Sequence, residues 1–176
     1  MMDFVIALPP GWVRIPLDGK ENARAVALAT AKTGELPGPQ RHAARQRLTR
    51  FIQQSLTQAY RAGGTDILLS LADHDGMPLA GSCLVSYAEG DGRPVSLDEL
   101  ACELGTGDDV AAVQVAGNPA VRHRYSDDLM ARVDYHTHVP GRTGLITFAF
   151  SAPSGPLADA MSGLFDSIAQ TLRWQP

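Results

Sequence analysis

The last third of the chain, Leu145 to Trp174, most constrains what this sequence can fold into. Leu145-Ile-Thr-Phe-Ala-Phe150 sets Ile146, Phe148 and Phe150 at period two, as a strand with one buried face requires. Ala152-Pro-Ser-Gly-Pro156 is a turn. Leu157, Ala160, Met161, Leu164, Phe165, Ile168, Ala169 and Leu172 then recur at spacings of three and four, one apolar stripe on a helix. Strand and helix can each hide an apolar face on the other, which predicts a sheet with a helix laid across it. Phe148 and Phe165 are expected to be buried and close together.

The rest of the chain, 176 residues in all, fits one domain spanning 1–176. A domain of this size buries about 70% of its unfolded surface and needs no staples. A net charge of −4 argues against nucleic acid as the main partner, because phosphate binding needs a basic surface. No window approaches ~18 consecutive apolar residues, so no membrane span is expected. The N-terminus lacks the basic start of a signal peptide. Cys83 and Cys102 form no Cys-x-x-Cys motif. Two free thiols and a cytoplasmic location are the expectation.

Taken in order, Asp3 to Leu8 reads as a strand, and Trp12 to Ile15 as its extended continuation with Trp12 as a packing anchor. Asp18 can cap a helix through Glu21, Val26 and Leu28 to about Thr33. Pro39 opens a second helix to Ala62, stopped by Gly63-Gly64. Its apolar set is Ala44, Leu48, Phe51, Ile52, Leu56, Ala59 and Tyr60. A strand from Thr65 turns at Asp73-His-Asp-Gly76 into a return strand from Pro78 to Ala88, apolar enough to be central. Ser96-Leu-Asp-Glu99 matches a capping box. Asp109–Val115 and Ala120–Tyr125 form a hairpin about Gly117-Asn118-Pro119. Met130–Val139 alternates cleanly, with Arg132, Asp134, His136 and His138 on one side. The sum is an α+β fold, an antiparallel sheet flanked by helices, with an N-terminal helical pair.

Three groups of residues can carry function. From Leu36 to Thr65 there is no acid, yet Arg41, Arg45, Arg47, Arg50 and Arg61 fall there, an asymmetry within an acidic chain. Acids elsewhere in the fold could neutralise them; left unpaired, they form a docking face for an acidic partner. Arg122 and Arg124 alternate on one strand. They can pair across strands with Asp134 or leave an anion-binding surface. Asp134, His136 and His138 share a strand face, about 7 Å between successive side chains, a plausible zinc or iron set by type. Side chains two apart on a flat strand diverge rather than converge on one ion, so no metal and no cofactor is expected. His123, facing away from Arg122 and Arg124, is not expected to join them.

No nucleophile elbow, phosphate loop or dinucleotide fingerprint occurs. The opening Leu8-Pro-Pro-Gly-Trp12, the Val113-Gln-Val-Ala-Gly-Asn-Pro-Ala120 hairpin and the closing helix to Thr171-Leu-Arg-Trp174 together resemble the PsbP-like fold. That fold is shared by an extrinsic photosystem protein, a Ran-binding import factor, bacterial lipoproteins and effector chaperones of type VI secretion. The closest likeness is to actinobacterial members that begin Leu-Pro-x-Gly-Trp and close with Phe-Asp-x-Ile. The resemblance implies a non-catalytic adaptor or chaperone of a bacterial secretion or assembly system. It carries over no catalytic residue. The helical insert from Asp18 to Ala62 exceeds the family's usual opening. A small-ligand carrier and a metal-dependent enzyme using Asp134, His136 and His138 are the alternatives.

Overall fold

The computed structural model describes residues 4–33, 38–71, 73–74, 77–78, 81–90, 92, 95–105 and 109–175. Strand β1 (Phe4–Val5) is followed by β2 (Trp12–Pro16), then helices α1 (Glu21–Thr33) and α2 (Gly38–Arg61). Next come β3 (Gly64–Ser70), β4 (Asp73–His74), β5 (Met77–Pro78), β6 (Ser82–Ala88) and α3 (Leu97–Glu103). Then β7 (Asp109–Val115), β8 (Asn118–Ser126), β9 (Met130–His138), β10 (Leu145–Pro153), α4 (Ala158–Gln170) and β11 (Arg173–Trp174) complete the chain. A 7-stranded sheet runs β2-β3-β6-β10-β9-β8-β7, every neighbouring pair antiparallel. This is the expected α+β architecture. Beside it, β1 pairs with β11, and β4 with β5.

The sheet has two differently dressed faces, set by alternation. On one lies the main core: Leu68, Cys83, Val85, Val133, Tyr135, Ile146, Phe148 and Phe150, packed against Met161, Phe165, Ile168 and Ala169 of α4. Trp12 anchors this core with its ring edge-on to Phe165, centroids 6.4 Å apart. Phe148 and Phe165 are both buried, but the ring that meets Phe165 is Phe150, while Phe148 meets Phe4. Same-face residues two apart stand about 7 Å apart, so one helix ring cannot face both.

On the other face, Ile15, Ile67, Leu69, Ala25, Ile52, Leu56 and Ala59 form a second cluster under α1 and α2. β6 lies between β3 and β10 and serves both clusters, Cys83 and Val85 one way and Leu84 the other, as a central strand should. α2 turns only a narrow stripe inward. Phe51 is 45% exposed and Tyr60 66%, so neither belongs to the buried set the periodicity suggested. Both lie on the flanks of a stripe centred on Ile52, Leu56 and Ala59, and α2 contacts the sheet chiefly along β3.

Three further details differ from the sequence reading. Of the strand expected over Asp3–Leu8, the described residues 4–8 keep Phe4–Val5, whose partner is the short closing β11, while Asp3 lies outside the described residues. The β7–β8 turn is Ala116-Gly117, with φ of 54° and 75°, and Asn118 and Pro119 already belong to β8. Two consecutive left-handed residues are what a two-residue hairpin turn needs. The return strand begins at Ser82, after the short β4–β5 ladder; Asp75, Gly76, Leu79 and Ala80 lie outside the described residues. At α3, Ser96 does act as the cap, its Oγ accepting from the Glu99 amide at 3.2 Å.

Candidate functional site

α2 carries five arginines and no acid. With Ile52, Leu56 and Ala59 turned to the core, helical geometry puts Arg47, Arg50 and Arg61 on the far side, and all three are exposed. Arg45 is half-buried on the α1 side, and Arg41 is exposed at the start of the helix. Among the described residues, no acid lies within ion-pair distance of Arg45, Arg47, Arg50 or Arg61. The acids that could have offset them are engaged or undescribed. Asp109 is held by Arg122 and Arg124, while Asp75 and Asp108 lie outside the described residues, as does the side chain of Asp73.

Between the arginines run amides and hydroxyls. Arg50, Gln53, Gln54, Thr57, Gln58 and Arg61 line an open groove of about 600 Å³. A second of about 550 Å³ crosses to α1, with Val26 and Arg45 at its sides. This is a donor-rich surface flanked by the exposed Phe51 and Tyr60 rings, suited to carboxylates.

Arg122 and Arg124 are built differently. Both stand on the α4 face of β8, where Arg122 donates to Asp109 at 3.3 Å and lies 3.9 Å from Asp166 of α4. Arg124 donates to Asp166 and lies 3.6 Å from Asp109. The Tyr135 hydroxyl also donates to Asp166, and burial with that carboxylate pushes the phenol well above its usual range. Two acids thus neutralise two arginines. Asp134 takes no part, because the β8–β9 register pairs it with His123 and so turns it to the opposite face. The anion-binding surface expected of this pair is therefore already filled by the chain's own carboxylates.

On that opposite face, β8 and β9 bring together residues that sequence reasoning had separated. His123 sits directly across from Asp134 and stacks on Tyr125, centroids 4.5 Å apart. The Tyr125 hydroxyl donates to Asp134 Oδ2 at 3.1 Å. His136 Nδ1 shares a hydrogen bond with Thr147 Oγ1 at 3.0 Å. Asp134 Oδ1 and His136 Nε2 are buried without a hydrogen-bond partner among the described residues. Burial raises the Asp134 carboxyl above its ordinary value, against the pull of Tyr125, His123 and Arg132, and burial lowers His136. Both groups are pushed toward neutrality. Among the described residues no group of three or more His, Cys, Asp or Glu side chains is placed to hold a metal ion. The signal that could have joined His123 to Asp134 is the length of the Asp127–Met130 connection, which fixes the register.

No protein-family model and no curated protein matches the sequence. Among solved structures the fold is similar to that of LpqN, described as involved in cell envelope biogenesis of Mycobacterium tuberculosis. The TM-score is 0.50 and the identity 12%, over 100% of this chain and 85% of the other. At that identity the likeness is one of fold.

Proposed function

We propose that this chain is a non-catalytic, PsbP-like protein-binding module, an adaptor or chaperone of an envelope-assembly or secretion system, docking an acidic partner on α2. One observation carries the reading: Arg47, Arg50 and Arg61 project outward from a helix without acids, in a chain of net charge −4. Like charges on one helix repel, so an unpaired basic face costs stability in the free protein. A carboxylate-bearing partner removes that cost and gains charge-assisted hydrogen bonds from the guanidinium forks. The role of LpqN in cell envelope biogenesis is in keeping with an assembly function. Free Cys83 and Cys102 are in keeping with a reducing cytoplasm.

A photo-crosslinking residue at Gln54, between the arginines, tests this. It should trap an acidic protein in the source cell, and raised salt should abolish the product. The same adduct from a crosslinker at Glu103 on α3 would contradict docking at α2.

A small-ligand carrier is the second reading. It is favoured by an open cleft of about 220 Å³ between α2 and the sheet, floored by the small side chains Ser82, Ala149 and Ser151. Native mass spectrometry of the purified chain would reveal a retained molecule.

A further inference from the structure

The two edges of the main sheet are unlike. β2 is 5 residues long, bears Arg14 and ends on Pro16, which has no N–H. Charge and proline are the usual guards of an exposed edge. β7 reads Asp109-Val-Ala-Ala-Val-Gln-Val115: beyond its first residue it carries no charge, and it has no proline. It pairs with β8 in unbroken register over all 7 residues, so no bulge twists the edge away.

The turn fixes which backbone groups β7 leaves free. In a two-residue hairpin the closing residues, here Val115 and Asn118, bond to each other. Antiparallel ladders alternate, so Val113, Ala111 and Asp109 also aim their N–H and C=O at β8, and Val110, Ala112 and Gln114 aim theirs outward. β8 agrees: Pro119, opposite Gln114, turns its carbonyl to β9, where it accepts from Thr137 Oγ1 at 2.8 Å. α3 and α4 both contact β7.

We propose that β7 is a dimerisation edge, where two copies of this chain pair β7 to β7 antiparallel about a two-fold axis at Ala112. Self-complementarity is what singles out a second copy. Centred on Ala112, the outward groups meet as Ala112 with Ala112 and Val110 with Gln114, each a hydrogen-bonded pair. The other register positions oppose Ala111 to Val113 and Asp109 to Val115. Small side chains stand at the axis, and the two Asp109 carboxylates fall at opposite ends. No like charges oppose each other, and every outward donor finds an acceptor. A two-fold contact of this kind closes on itself and does not propagate. Its area, one strand and its flanks, is below that of a standard interface of ~1,600 Å², so dimer formation depends on concentration. The surface is separate from α2.

Sedimentation velocity of the full chain over a wide concentration range tests this, with three variants at the axis. Ala112 is exposed and its N–H is not used by β8, so at low concentration, where all are monomeric, A112K, A112E and A112P should keep the wild-type melting curve. The wild type should shift to a dimer as concentration rises. A112K and A112E set like charges across the axis and A112P removes the central donor, so each alone should lose the dimer. An equal mixture of A112K and A112E should regain it as a heterodimer. A wild type that stays monomeric throughout overturns the proposal and leaves the edge to a foreign strand. Dimers that persist in A112K and A112P also overturn it. A charge mixture that fails to dimerise overturns the register centred on Ala112.

Discussion

Phe150 of β10 and Phe165 of α4 lie face against face, ring centroids 4.9 Å apart and planes 25° from parallel. Phe165 is fully buried, with Trp12 edge-on beside it, so one helix side chain ties α4 to the strand and to the N-terminal corner. Phe165→Ala should lower stability by about 3–5 kcal/mol, the range for deleting a buried aromatic ring. Urea unfolding followed by tryptophan fluorescence will show it. A loss under about 0.5 kcal/mol, the ordinary surface range, would contradict the packing role assigned to this ring.

Asp166 holds Arg122, Arg124 and Tyr135 together. Among the described residues, Asp166→Asn leaves the two guanidiniums with Asp109 as their carboxylate, which is itself largely solvent-facing. A cost of about 1.5–3 kcal/mol is expected, the range for hydrogen bonds to charged groups. Chemical denaturation of the variant checks it. Stability equal to wild type would show that the network is a surface pairing without energetic consequence.

Asp134 and His136 give a pH dependence whose sign can be worked out. Burial raises the Asp134 carboxyl above its unfolded value, so between the two the folded chain holds the extra proton. Stability therefore falls as pH rises through that window. Asp134→Asn removes the buried charge and keeps an acceptor for Tyr125, so it should melt higher than wild type at pH 7, with the difference shrinking as pH falls through that window and gone below pH ~4. His136 works oppositely: its value is lowered, so protonation below about pH 6.5 favours the unfolded chain. Paired melting curves across pH separate the two. An Asp134→Asn variant less stable than wild type at neutral pH would contradict the burial argument.

The thiols should differ in access. Cys102 is exposed and Cys83 is buried, with burial pushing its thiol well above the usual range. Thiol titration of the native chain should label Cys102 quickly and Cys83 only on unfolding. Fast labelling of both in the native state would contradict the packing of β6.

How much of this was legible depends on what each pattern encodes. The alternation of Met130–Val139 survived intact because one face of β9 is buried and the other half-buried and polar, a contrast that a period of two records. Strand β10 and helix α4 were legible for the same reason. Phe51 and Tyr60 were misplaced because a helical stripe gives a direction and not a width. The width depends on how far α2 overlaps the sheet. Pairing Arg122 and Arg124 with Asp134 failed by parity: shifting a strand by one residue moves every side chain to the other face, and the register rests on the connection at Asp127–Met130. Of the partners the arginines do have, Asp109 lies across the hairpin on β7 and Asp166 comes from α4, far along the chain. The pairing of β1 with β11 left no trace at all, since two residues are too short to show a period.

The outward arginines of α2 are the centre of the functional account, and a double reversal tests them most directly. Arg47→Glu with Arg50→Glu changes only exposed side chains, so the fold should hold. Quantitative affinity purification from the source cell should compare wild type, this double variant and a control reversal, Asp98→Lys with Glu99→Lys, on α3. The account predicts an acidic protein recovered by wild type and by the control, depleted by added salt, and lost with the arginine reversal. Recovery of the same protein in equal yield by wild type and the arginine reversal would contradict it.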